Sequence, residues 1–90
     1  MTFEEYKAMI EARQMPARIA HLERMARRYA DASLSDRVEL RKWWSDRYCD
    51  ILDEITRQHQ GKATPELVRR AKKAWDDRYT YFMPRVHATA

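Results

Sequence analysis

Ninety residues with a single Cys and a formal net charge of +4 make one domain, near the lower end of what a single core holds together, and exclude an internal disulfide. One Gly and three Pro leave almost no turn chemistry for hairpins, so a β-rich fold is excluded, as is every glycine-dependent fingerprint: P-loop, dinucleotide fold or nucleophile elbow. No apolar run exceeds two or three residues, so no transmembrane span is expected. Met1-Thr2-Phe3-Glu4-Glu5 lacks the basic and apolar regions of a signal peptide, and a lone thiol suits a reducing compartment. A cytoplasmic protein without membrane contact is the expectation.

The charge is uneven. Residues 1–33 carry six Lys/Arg against five Asp/Glu, residues 34–60 five against six, and residues 61–90 seven against three. Arg outnumbers Lys thirteen to five, which favours planar, bidentate contact with carboxylates or phosphates over simple solubility.

In chain order, Thr2 to Glu5 fits a capping box, and Phe3, Tyr6, Met9 and Ile10 make one apolar face of a short first helix. Pro16 lacks a backbone N–H and pushes Met15 away from helical geometry, so this helix is expected to stop near Gln14. Pro16 then sits in the first turn of a second helix running to about Asp31. No Gly, Ser or Asn marks a loop there, and a single kinked helix over residues 3–31 is the alternative. The second helix buries Met15, Ile19, Leu22, Ala26 and Tyr29 and turns Arg24, Arg27 and Arg28 outward.

The stretch from Ser35 to Gln60 has the densest apolar pattern and reads as one long central helix, with Leu40, Trp44, Tyr48, Ile51, Leu52 and Ile55 on its buried stripe. Ser33 or Ser35 caps its start, and Gly61 supplies the left-handed residue that closes it. Cys49 falls outside the stripe and is expected to be partly exposed, among Asp46, Asp50 and Asp53. Thr64-Pro65-Glu66 is a strong helix start. Leu67, Val68, Ala71, Trp75, Tyr79 and Phe82 form the last stripe, Pro84 ends it, and residues 84–90 read as a flexible tail beyond a domain of residues 1–83. The expected fold is all-α: an antiparallel bundle of three or four helices around a long central helix at about 35–60.

Lys42-Trp43-Trp44-Ser45-Asp46-Arg47-Tyr48 and Lys73-Ala74-Trp75-Asp76-Asp77-Arg78-Tyr79 share the form K-x-W-x-D-R-Y. On a helix the Trp and Tyr are i,i+4 neighbours on the buried stripe, Lys and Asp an i,i+4 ion pair, and Arg is placed to stack on the indole. Two helices packing on one core under the same demands explain this pattern. Two copies do not make a repeat protein.

Catalytic and metal chemistry find little support. His21, His59 and His87 lie in three separate segments without metal-ligand spacing, and no second Cys completes a thiolate site, so neither metal nor cofactor is expected. Cys49 has acidic neighbours where a nucleophile needs a basic one. A non-enzymatic role follows as the expectation.

Two surfaces are candidates for binding. Trp43 must point about 100° away from Trp44, towards the flank of its helix. With Arg41, Arg47 and the flanking Tyr81 it supplies the residue types that dominate protein interfaces. Packing of Trp43 against the first helix or a symmetry mate is an equal reading, and self-association into a homodimer stays open. The other candidate is a nucleic-acid surface made of Arg24, Arg27 and Arg28 on the second helix with Arg69, Arg70, Lys72 and Lys73 on the last. A helix-turn-helix is not expected, because the central helix is too long to be either of its members.

In size, charge and helicity the chain resembles the small stand-alone inhibitors encoded by phages and mobile elements, anti-CRISPR proteins among them. That resemblance implies binding to, and blocking of, a protein or protein–nucleic-acid complex. A DNA- or RNA-binding regulator is the other expectation.

Overall fold

Capping chemistry decides where the helices begin, and it does so in two places against the reading above. The structure, a computed structural model, describes the backbone of residues 1–89 and the side chains of residues 1–78. Among the described residues every regular element is a helix: α1 (Phe3–Asp31), α2 (Leu34–Trp43), α3 (Asp46–Gln58) and α4 (Pro65–Thr89). The all-α bundle is as expected. Its long central helix is not.

The stretch expected to be one helix over 35–60 is two, broken at Trp44 and Ser45. Trp44 takes an extended conformation (φ −99°, ψ 141°), and the Ser45 side chain accepts the Tyr48 N–H at 3.1 Å. Ser45 is thus an N-cap, with Asp46 placing its carboxylate in the first turn against the positive helix end. An apolar stripe running unbroken through Leu40, Trp44 and Tyr48 concealed this start.

The opposite happens at Pro16. The chain runs straight through it as one 29-residue helix with Pro16 inside. An interior proline loses one backbone bond and costs about 3 kcal/mol relative to Ala. The segment Ala12-Arg13-Gln14-Met15-Pro16-Ala17-Arg18 nonetheless offers no capping side chain with which to end one helix and start another. Met15 and Ile19, on either side of the proline, both pack against the core. The single-helix alternative is the one the chain adopts.

Other boundaries follow the sequence signals. Thr2 and Glu5 form the reciprocal capping box. Ser33 caps α2 by accepting the Asp36 N–H at 3.1 Å, and Thr64 accepts the Leu67 N–H at 3.3 Å ahead of Pro65. After α3 the chain turns through two left-handed residues, Gln60 (φ 54°) and Gly61 (φ 82°). The Gly61 N–H reaches back to the Ile55 carbonyl at 3.0 Å. The backbone of α4 remains helical past Pro84, where its end was expected. Tyr79, Phe82 and the tail expected over 84–90 lie outside the residues whose side chains are described.

The core is shared by α1, α3 and α4. Leu22, Ala26 and Tyr29 come from α1, Tyr48, Cys49, Ile51, Leu52 and Ile55 from α3, and Leu67, Val68, Ala71 and Ala74 from α4. Met15, Ile19, Leu40, Trp44 and Trp75 pack around this cluster. Ion pairs give the directions: Arg70 meets Glu54 at 2.9 Å and Arg47 meets Asp77 at 3.4 Å, so α4 runs antiparallel to α3. The Ala63 N–H donates to Glu23 at 3.0 Å while Arg69 meets Glu11 at 2.8 Å, so α4 also runs counter to α1.

The two K-x-W-x-D-R-Y segments are not structurally equivalent. The first straddles the α2–α3 break, and the second lies inside α4. The break takes Lys42 away from Asp46, so Lys42 pairs with Glu39 at 3.0 Å and Asp46 with Arg41 at 3.0 Å. In the second, Lys72 pairs with Asp76 and Asp77 with Arg47, so the expected Lys–Asp pair forms in neither. Arg78 does lie over the Trp75 ring at 5.5 Å, whereas Trp44 receives Arg28 of α1 at 5.7 Å in place of Arg47.

The Gly61 turn yields a direct test. A Cβ there would meet nothing within 4 Å, so replacing Gly61 costs only the left-handed backbone. Gly61→Ala should lower stability by about 1 kcal/mol, a drop of roughly 4–8 °C in thermal midpoint, measured by circular dichroism.

Candidate functional site

Three features outside the core carry potential chemistry: the outward side of α2, the arginine row of α1, and a groove between α1 and α4.

No side chain of α2 is fully buried. Leu34 is 80 % exposed, Val38 52 % and Trp43 66 %, while Leu40 alone among its apolar residues packs on the core. Arginines hold this helix instead. The Arg37 guanidinium donates to the carbonyls of Tyr29 (3.1 Å) and Ala30 (2.5 Å) in the last turn of α1, where the Tyr29 carbonyl also accepts the Ala32 N–H at 3.3 Å. Arg41 donates to the Tyr29 hydroxyl at 2.8 Å, to Asp46 at 3.0 Å and to Asp50 at 2.9 Å, with Asp53 at 3.6 Å. Hydrogen bonds to Asp50 and to Tyr29, in that order, push the Arg41 pKa further above its ordinary value. Arg41 is a clamp joining α1, α2 and α3.

The four residues expected to make a protein-binding patch are therefore not brought together as one. Trp43 is outward, Arg41 is engaged inside the fold, Arg47 pairs with Asp77 across to α4, and Tyr81 lies outside the described side chains. Leu34 and Val38, one turn apart on α2, join the exposed apolar surface. Their i,i+4 spacing was legible in the sequence, but reading 35–60 as one helix drew attention to the Leu40–Trp44 stripe. Phe3, at 72 % exposed, and Tyr6, at 52 %, are likewise outward, so of the expected apolar face of the N-terminal turns only Met9 and Ile10 are half-buried.

The two arginine clusters separate sharply. On α4, Arg69 pairs with Glu11, Arg70 with Glu54 and Lys72 with Asp76, and Lys73 meets no carboxylate among the described residues. On α1, Arg24 and Arg27 meet no carboxylate among the described residues, and Arg28 lies over Trp44. Arg13 and Arg18, not singled out from the sequence, extend this row; Arg18 donates to Gln14 at 2.7 Å, and neither meets a carboxylate among the described residues. At about 100° per residue, every cation of α1 falls in one half of its circumference, and Glu4, Glu5, Glu11 and Glu23 in the other. Asp31, the last residue of the helix, is the exception.

A groove of about 880 Å³ opens between α1 and α4, with Trp44, Tyr48 and Trp75 in its floor, Arg13 and Arg18 on one rim and Lys72 on the other. The rings of the floor meet edge to face, Trp44 to Tyr48 at 5.8 Å and Tyr48 to Trp75 at 5.2 Å. Burial in this apolar setting pushes the Tyr48 pKa up to about 12.

Cys49 is not the partly exposed thiol expected from the sequence; it is fully buried. Independent of α2, α3 lies between α1 and α4, so its buried arc is wider than one stripe and takes in Cys49. Burial first, then Asp46, Asp50 and Asp53, push the thiol up to about 11 against the opposing pull of Arg41. Such a thiol is a poor nucleophile at neutral pH. Among the described residues no group of three or more His, Cys, Asp and Glu is arranged to hold a metal. None of their helices is long and apolar enough to cross a membrane.

The helix-turn-helix question changes its terms. The length objection lapses, because α2 and α3 are short helices joined by two residues. The second helix is nonetheless the wrong one to enter a groove of DNA. It contributes five core residues, and Asp46, Asp50, Asp53 and Glu54 lie on its remaining surface.

No protein-family model matches the chain, and neither a curated protein nor a solved structure is detectably similar to it.

Two outcomes test this geometry. Arg41→Ala should destabilise the fold by about 2 kcal/mol by stripping partners from Tyr29 and three carboxylates, whereas Arg47→Ala should stay within about 0.5 kcal/mol of wild type; chemical denaturation reads both. Buried acids with raised pKa values stabilise fully below their unfolded values and lose that contribution on ionising. Stability should therefore fall from about pH 9 to about 11 for Cys49 and from about 10 to about 12 for Tyr48. In Cys49→Ala the alkaline fall should begin about one pH unit later.

Proposed function

We propose that this protein is a non-catalytic binding module that docks a protein, alone or within a protein–nucleic-acid assembly, through the outward surface of α2 and acts by occluding what it covers. One observation carries this reading. Helix α2 leaves Leu34, Val38 and Trp43 in solvent, and its attachment through Arg37 and Arg41 does not use them. Exposed apolar residues on a helix held by other means are available to a partner without unfolding anything. Trp43 is the anchor of this surface, because a tryptophan with two side-chain torsions buries much area for little conformational entropy. Leu34 and Val38, about 140–180° round the helix from Trp43, form the other edge of its outward half.

The reading is supported further by what the arrangement lacks in reactive chemistry. The thiol at Cys49 is buried with its pKa raised, and the carboxylates beside it, Asp46, Asp50 and Asp53, are held in ion pairs with Arg41. Occlusion needs only shape and affinity, which is the mode of the small inhibitors this chain resembles in size and charge.

A second reading, direct binding of nucleic acid by a regulator, is favoured by the arginines of α1 that meet no carboxylate. A tagged protein expressed in its host and recovered with and without nuclease separates the two. The first reading expects a protein partner that survives nuclease treatment and is lost with Trp43→Ala, while the helical circular dichroism signal is unchanged. Loss of every partner on nuclease treatment favours the second. A concentration-dependent dimer in sedimentation, abolished by Trp43→Ala, would make the α2 surface a self-interface and overturn the first.

A further inference from the structure

The arginines of α1 differ from Arg41 and from those of α3 and the start of α4 in meeting no carboxylate among the described residues, although Arg18 donates to Gln14 and Arg28 lies over Trp44. Arg37 and Arg41 clamp α2, and Arg47, Arg57, Arg69 and Arg70 pair with carboxylates. Arg13, Arg18, Arg24, Arg27 and Arg28 pair with none among the described residues. They span about 22 Å of helix axis at 1.5 Å per residue. Apart from Asp31 at the C-terminal end of the row, the acids of α1 lie on its opposite half. Two of these are consumed there, Glu11 by Arg69 at 2.8 Å and Glu23 by the Ala63 N–H at 3.0 Å. The row therefore repels itself and draws anions.

At the foot of this row lies the groove, and its make-up narrows the anion. Arg13 and Arg18 stand on its rim, Lys72 faces them, and no carboxylate lines it. Its floor is built of rings, with Trp44 and Trp75 half-buried and a guanidinium lying over each indole, Arg28 over Trp44 and Arg78 over Trp75. A row of guanidiniums beside aromatic rings is the combination that holds an unpaired strand: phosphates meet the cations, and bases meet π-faces that tolerate any sequence. A duplex has its bases stacked internally and would use only the row.

We infer that the arginine row of α1 and the aromatic groove at its foot form a binding site for single-stranded nucleic acid, with the backbone along Arg13, Arg18, Arg24, Arg27 and Arg28 and bases entering over Trp44 and Trp75. This rests on the second reading above and sharpens it. Of the α4 cations expected from the sequence to share in the site, only Lys72 lines the groove, and it also pairs with Asp76 at 3.3 Å; Arg69 and Arg70 pair with Glu11 and Glu54.

The test uses the full chain with Trp43→Phe, so that fluorescence reports Trp44 and Trp75. The probes are a 20-nucleotide oligothymidine, a 20-base-pair duplex, polyglutamate, and vesicles containing phosphatidylserine. The site expects tryptophan quenching by the single strand, at least tenfold tighter binding of it than of the duplex, and a slope of log affinity against log salt near −3.5 for about five phosphates. Arg13→Gln with Arg18→Gln should shallow that slope by about 1.4, and Arg69→Gln with Arg70→Gln should leave it unchanged. Circular dichroism of each variant checks that the helices persist. Equal affinity for strand and duplex without quenching overturns the groove but spares nucleic-acid binding. Tighter binding of polyglutamate or vesicles, or no binding of either nucleic acid at 50 mM salt, overturns both.

Discussion

The hydrogen bond from the Tyr48 N–H to the Ser45 hydroxyl, 3.1 Å long, is a small contact on which the whole arrangement turns. It stops α2 at Trp43 and lets α3 start afresh in a new direction. Only then can α3 enter the core between α1 and α4 while α2 lies across the end of α1. With a continuous helix from 35 to 60, Arg41 and Asp46 would lie about 140° apart on one rod at 100° per residue. The break folds them together, and Arg41 gains its contacts with Tyr29, Asp46 and Asp50.

Arginine does three separate jobs in this chain, and burial and geometry assign each one. As a clamp it replaces apolar packing for α2, where guanidinium forks satisfy the carbonyls at the end of α1 and a cluster of aspartates. As an ion-pair partner it sets α4 against α1 and α3, in exposed pairs that contribute register more than energy. Along α1 it does neither. The excess of Arg over Lys suits all three, since a planar fork reaches two acceptors at once and lies flat on a ring. The unneutralised row is the one for which internal structure gives no reason, and that asymmetry points outward.

The core is small, and the chain spends its apolar residues unevenly. Leu52, Ile55 and Cys49 are completely enclosed, whereas Trp43, Leu34 and Phe3 are left in water. A single exposed apolar residue is ordinary. Three on a ten-residue helix that buries no residue fully are less so, and since Trp43 lies about 140–180° round α2 from Val38 and Leu34, no rotation of the helix would bury all three. Polar attachment through Arg37 and Arg41 decides which side faces the core. It leaves the α2 surface and the α1 row as distinct faces near the same end of the molecule, both adjoining Arg28.

Much of the architecture was legible in the residues. The scarcity of Gly and Pro, the 3.6-residue periodicity and the caps at Thr2, Ser33 and Thr64 determined an all-helical chain and most of its boundaries, since these depend on interactions within one turn. Pro16 and Ser45 show where local reading ended. A proline's cost is borne when packing on both sides compensates for it, and a serine caps only when the chain has somewhere to go after the turn. The exposure of Cys49, the fate of Arg41 and the division between paired and unpaired arginines were beyond the sequence for the same reason. Each depends on residues beyond its own helical turn, 5 to 12 positions away for Arg41 and 30 and 58 for Arg47 and Arg69, and only the α2–α3 break and the packing of α1, α3 and α4 bring them together.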